Sequence, residues 1–113
     1  MTIEQMDVVD LIGHDTADDE IVLFICDHLP WTDDDGDNFS HMDLLQQKIY
    51  RYLDFIESGE ISERYPKSIG RRARLRVSAK YEMNKEAQAF FKKIQDYLSQ
   101  QGYKLEFRHL PSE

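Results

Sequence analysis

The sequence predicts an α+β protein: a two-layer α/β sandwich in the order β-β-α-β-α-β, with a four-stranded mixed sheet and two helices on one face. Three observations carry this reading. Residues 21–26, Ile-Val-Leu-Phe-Ile-Cys, form an apolar run with no polar face, the pattern of a central strand covered on much of both sides. Met42, Leu45, Ile49, Tyr52, Leu53 and Ile56 recur at spacings of three and four, which makes one apolar stripe of a helix. From 72 to 81 the chain alternates strictly, with Ala73, Leu75, Val77, Ala79 and Tyr81 against Arg72, Arg74, Arg76, Ser78 and Lys80. A strand with one polar face leaves helices only one side of the sheet to cover, hence two layers.

In chain order, residues 6–14 are the first expected strand, with Val8, Val9, Leu11 and Ile12 broken by Asp10. Polar turn residues follow at 14–19, and residues 20–28 form the second strand. The short connection makes this pair an antiparallel hairpin. A helix is expected over 40–58, capped by Ser40 with Asp43 three residues on, and ended by a left-handed Gly59. Residues 59–70 read as an irregular connection around Pro66, with a short edge strand near Ile61. After the alternating strand, Asn84 caps a second helix with the stripe Ala87, Phe90, Phe91, Ile94, Tyr97 and Leu98, stopped by Gly102. The last strand is 103–110, with Tyr103, Leu105 and Phe107 on one face. Both crossovers are expected to be right-handed.

A chain of 113 residues makes one domain, here spanning 1–113, with length for a single core. Its 13 aromatic residues oppose disorder of the whole chain. The lone Cys26, inside the apolar run, reads as a small buried hydrophobe of a reducing compartment. No secretory pattern opens the sequence, and no apolar stretch approaches the ~20 residues of a membrane span. The expectation is a soluble, cytoplasmic protein without a membrane partner.

The net charge of −8 is unevenly spread. Residues 1–63 hold 17 acids against only Lys48 and Arg51, whereas residues 64–113 hold 12 bases against five acids. Either the two halves pack against each other, or the folded molecule has an acidic and a basic side. The helix-free sheet face would carry Arg74, Arg76, Lys80, Lys104 and Arg108 around an apolar centre from the second strand. That centre is either Val22, Phe24 and Cys26 or Ile21, Leu23 and Ile25. Such a face resembles an interaction surface unless another segment folds over it.

Residues 27–43 contain six Asp and two His with no Lys or Arg. A calcium loop is the obvious test for Asp33-Asp34-Asp35-Gly36-Asp37. Placing Gly36 at loop position six puts Trp31 at the first position and Met42 at the last, so the template fails at both ends. Asp27, His28, His41 and Asp43 supply ligand types for a divalent metal, although no close His pair supports it. Cys26 and His28 share a strand face, but buried cysteines are inert as a rule. The basic run Arg71-Arg72-x-Arg74-x-Arg76 suggests nucleic acid, and the net charge opposes it. Trp31 reads either as a plug closing the core or as a partner anchor. No cofactor motif is present.

Three stretches carry a family resemblance. They are Asp27-His28-Leu29-x-Trp31, the run Leu44-Leu45-Gln46-Gln47-Lys48-Ile49-x-x-Tyr52-Leu53-x-Phe55-Ile56-Glu57-Ser58-Gly59, and the alternating strand before Phe90-Phe91. The chain resembles a small bacterial family known as a domain of unknown function. The resemblance implies a single-domain bacterial protein without established catalytic residues. The favoured expectation is therefore a non-enzymatic interaction module, immunity-protein-like by analogy. It would dock an unidentified protein partner through Trp31, Asp33, Asp34, Asp35 and Asp37, or through Arg74, Arg76, Lys80 and Arg108. The open sheet face could equally pair two copies of the chain. The alternative is a divalent-metal-binding protein or metal-dependent enzyme using Asp27, His28, His41 and Asp43.

Overall fold

Residues 12–17, 19–32 and 34–109 are described by the structure, a computed structural model. Among them the elements run β1 (Ile12–Asp15), β2 (Glu20–Asp27), α1 (Asp35–Glu57), α2 (Glu60–Arg64), a 3₁₀ turn (Pro66–Ser68), β3 (Ala73–Ala79), α3 (Lys85–Gln100) and β4 (Lys104–His109). The four strands form one open sheet in sequence order, β1-β2-β3-β4. The β1/β2 hairpin is antiparallel, and the β2/β3 and β3/β4 pairs are parallel. The expected class and mixed sheet are therefore present. The expected first strand falls largely on residues outside those described, from which only Ile12 onward can be placed.

The period of two decides the two faces. Register sets Leu23, Leu75 and Leu105 side by side, then Ile25, Val77 and Phe107 in the next row. These join Leu45, Ile49, Tyr52 and Phe55 of α1 and Phe91, Ile94 and Leu98 of α3 in the core. Each such aliphatic side chain stabilises the fold by roughly 1.5–3 kcal/mol on burial. Tyr52 fastens α1 to the sheet as well, since its hydroxyl donates to the Phe24 carbonyl at 2.8 Å. The opposite face carries Val22, Phe24 and Cys26 of β2 beside Arg74, Arg76 and Ser78 of β3, which resolves the two apolar alternatives.

Four expectations about local structure need correction. Helix α1 starts at Asp35, well before Ser40, because Asp34 caps it by accepting from the Asp37 N–H at 2.9 Å. Asp35 and Asp37 then lie in the first turn, where the helix dipole favours negative charge. The acidic stretch is thus largely helix and only partly loop. Secondly, Ile61 lies in the short helix α2 and is buried in the core, where an edge strand was expected. Gly59, at φ +85°, ends one helix and opens the next in a conformation that favours glycine. Thirdly, β3 stops at Ala79, so Tyr81 lies beyond the sheet and is exposed. Finally, Tyr97 of the expected α3 stripe points outward, leaving Ala87, Phe91, Ile94 and Leu98 as its buried face. The expected cap of α3 is present: Asn84 Oδ1 accepts from the Ala87 N–H at 2.8 Å.

Candidate functional site

The parallel strands β2 and β3 end beside the starts of α1 and α3, the crevice where open α/β sheets commonly bind ligands. Asp27 is the last residue of β2. Its parity with Ile21, Leu23 and Ile25 turns its side chain to the helix-covered face, and its carbonyl accepts from the Lys80 N–H at 2.9 Å. The carboxylate divides its acceptors. Oδ1 takes the Leu29 N–H at 3.1 Å, and Oδ2 lies 2.6 Å from Nε2 of His41 on α1. Both side chains are almost wholly buried.

Trp31 closes the cluster. Its ring stacks on His41 with centroids 3.7 Å apart and planes at 15°. Asn38 of α1 holds the same connection down by two bonds, accepting from the Thr32 N–H at 2.9 Å and donating to its carbonyl at 2.7 Å. His41 Nδ1 is buried and has no hydrogen-bond partner. An Asp–His pair orients an imidazole so that its second nitrogen can act as a base or ligand. Here that nitrogen is enclosed, with the Trp31 ring stacked on its imidazole, so a substrate could reach it only if neighbouring side chains moved. In the closed arrangement the cluster pins α1 to the carboxyl end of β2.

Of Asp27, His28, His41 and Asp43, the fold brings Asp27 and His41 together. His28 is exposed, while Asp43 is exposed and accepts from Gln47 Nε2 at 2.7 Å. Among the described residues no group of three or more His, Cys, Asp and Glu is arranged to hold a metal ion.

The arginine face differs from the expected rim. Arg74 is 5% exposed. Its guanidinium bonds Asp15, donates to Glu20 Oε1 at 3.0 Å and lies 3.1 Å from Glu106 Oε1. Burial disfavours the cation, but the hydrogen bond to Asp15 and the charges of Glu106, Asp15 and Glu20 outweigh it and raise the Arg74 pKa further. Arg76 lies over the Phe24 ring at 5.6 Å and approaches Glu106 at 3.5 Å. Lys80 and Arg108 remain exposed, with the Lys80 ammonium 5.6 Å from the Tyr81 ring centroid. The β3 arginines therefore neutralise the protein's own carboxylates.

The acidic side has no comparable compensation. Asp34, Asp35 and Asp37 are exposed at the start of α1, and Asp33 lies outside the described residues. Phe39, one turn beyond Asp35, is 70% exposed. Sequence reasoning passed over this residue, because a helix starting at Ser40 left Phe39 outside it. A cavity of ≈ 480 Å³ opens between α3 and β4 over Phe91 and Phe107. Its polar lining is engaged locally: Gln88 donates to the Met83 carbonyl and Gln95 to the Leu105 carbonyl.

Fold and site together define an open-faced α+β sheet protein pinned at one end by an Asp–His–Trp cluster. Arg74 and Arg76 pair with its own carboxylates, while Asp35, Asp37 and Asp43 lie exposed on α1. Residues 1–111 match the family described as a family of unknown function (DUF6572), and the chain belongs to that family. No curated protein matches the chain, and no solved structure matches it. Among the described residues no helix is long and apolar enough to cross a membrane.

Proposed function

We propose that the protein is a non-enzymatic interaction module whose acidic helix side docks a basic protein partner. The supporting observation is an uncompensated surface. Among the described residues, no ion pair involves Asp34, Asp35, Asp37 or Asp43, and Asp35 and Asp43 stand one turn either side of the exposed Phe39 on its face of α1. A single apolar side chain is unremarkable on a surface. A large aromatic ring fixed on a 23-residue helix amid like charges offers an anchor and an electrostatic guide together. Arg74 and Arg76 are engaged by carboxylates on the other face of the sheet, and, among the described residues, the exposed Lys85, which lines a shallow cavity with Asp35, makes no ion pair with it.

The test compares the wild type with a Phe39→Ala, Asp35→Asn, Asp37→Asn triple variant in native-lysate capture at low and moderate salt. A partner retained at low salt, weakened by salt and lost with the variant is expected. Equal capture by both proteins would refute this surface, and a clean monomer with nothing bound at either salt would refute the module.

A second reading rests on the unpartnered His41 Nδ1: a divalent cation taken by that nitrogen, with Asp27 orienting the imidazole from Nε2, once the Trp31 ring moves aside. Thermal stabilisation by zinc or manganese that vanishes in Asp27→Asn would carry it. No bound metal on elemental analysis and no stabilisation would sink it.

A further inference from the structure

Three turns beyond Phe39, on the same side of α1, a second aromatic group breaks the surface. Tyr50 is 41% exposed, and Tyr97, from α3, is 48% exposed. The two rings meet edge to face, with centroids 6.2 Å apart and planes at 66°. Gln46 Nε2 donates to the Tyr50 hydroxyl at 3.4 Å, which steadies that ring. With Leu53, Asp54 and Glu57, the two tyrosines line a shallow cavity of ≈ 290 Å³.

The chemistry of this lining is selective. Leu53 is buried and gives an apolar floor. Two tyrosine rings present electron-rich faces and two carboxylates stand at the rim, so a cation is attracted twice over. An anion would be repelled, and a neutral apolar group would draw nothing from Asp54 or Glu57. The carboxylates are weakly engaged within the chain. Arg51 approaches Asp54 at only 3.9 Å, and the Asp54 side chain remains 78% exposed. Glu57 is exposed, and its charge reaches Tyr103, whose hydroxyl is pushed up first by burial and then by Glu57. Lys93, one turn before Tyr97, is an exposed base bordering the patch. The volume lies at the lower limit of ligand pockets, which suits one side chain better than a cofactor.

We propose that Tyr50, Tyr97, Asp54 and Glu57 form a receptor for an arginine side chain of a basic protein partner. Arginine fits better than lysine because its planar guanidinium stacks on an aromatic face while donating along its edge to carboxylates. This inference rests on the interaction-module reading and assigns it an anchor. Phe39 lies about 16 Å along the same helix, so one basic segment can contact both.

The probe is a short acetylated and amidated peptide with two arginines flanked by leucines. Its twin carries citrulline in place of arginine and keeps the shape without the charge. Each is titrated into the isotope-labelled full chain at low ionic strength and followed by NMR. The arginine peptide is expected to move the ring resonances of Tyr50 and Tyr97, and the citrulline twin to bind at least about tenfold more weakly. Tyr97→Leu keeps an apolar body at an exposed position, and Glu57→Gln keeps the shape of the rim. Each is expected to weaken the arginine peptide about fivefold with an unchanged melting temperature. Equal binding of the twin peptides overturns the receptor. Shifts centred on Phe39 and Asp35, with both tyrosines unmoved, overturn the receptor while leaving the acidic-side reading in place. No binding of the arginine peptide anywhere overturns both.

Discussion

Arg74 and Asp27 lie on opposite faces of the same sheet, and each takes a polar group out of water by a different route. Arg74, on the helix-free face, collects three carboxylates from β1, β2 and β4. Those acids keep a fringe of solvent, so the cluster is ionic and partly screened. Asp27, on the helix-covered face, is enclosed with His41, a backbone N–H and the stacked Trp31. The first arrangement consumes charge and ties strands together. The second pairs one carboxylate with one imidazole and ties a helix to a strand end. Arg74 and Arg76 are taken up by the first cluster, whereas Asp35, Asp37 and Asp43 of α1 face outward, and the proposed partner surface rests on that difference.

Removing the central cation should separate the two clusters most sharply. Arg74→Ala removes the guanidinium shared by Asp15, Glu20 and Glu106 and leaves Arg76 to answer Glu106, and a loss of about 3 kcal/mol is expected in urea unfolding. Asp27→Ala strips partners from His41 and the Leu29 N–H, with an expected loss of about 2 kcal/mol. Trp31 is the only tryptophan, so its emission should report this change and remain unaltered in Arg74→Ala. If both variants change the emission alike, the clusters are coupled through the sheet and the contrast between them fails.

A smaller effect tests where α1 begins. Asp34→Ala and Asn84→Ala should each cost about 1 kcal/mol as lost caps, while Ser40→Ala, inside the helix, should be close to neutral. A larger loss for Ser40→Ala than for Asp34→Ala in thermal melts would move the start back to Ser40.

The smallest effect concerns the solvent fringe. Hydrogen bonds from Arg71 and then His14 hold the Asp19 carboxyl below its ordinary value of 3.8. A lowered folded value means that its contribution to stability is complete above pH 3.8 and is lost as pH falls through the lowered value. Asp19→Asn should therefore flatten only the acid end of the stability curve. A change near neutral pH would show that another group is responsible.

The strands were legible because alternation is local. The residues 72–81 pattern assigned Leu75 and Val77 to one face and Arg74 and Arg76 to the other, and the register confirms that division. The α1 stripe was equally legible from Leu45 to Leu53. Its start was not, because aspartates and Gly36 are poor helix interior residues, and the first turns depend on the Asp34 cap and on the clasp between Asn38 and Thr32. The candidate site was half legible. Asp27 shares the parity of Ile25, so a carboxylate on a core-facing position called for a buried partner. Nothing in the spacing singled out His41 from His28, since the choice depends on where α1 crosses the end of β2. Tyr97 fitted an apolar stripe by period, but its ring meets Tyr50 of α1 at the surface and stays exposed.

Sequence alone determined the class of fold, the faces of the strands and the composition of the two charged halves, because periods of two and 3.6 are read within a few residues. Tertiary structure alone decided which charges met. Arg74 lies 59 residues from Asp15 and 54 from Glu20, and their pairing exists only because β1, β2 and β3 lie side by side. Electrostatic attraction falls off with distance and screening, so charge composition names no partners until the sheet brings them within a few ångströms.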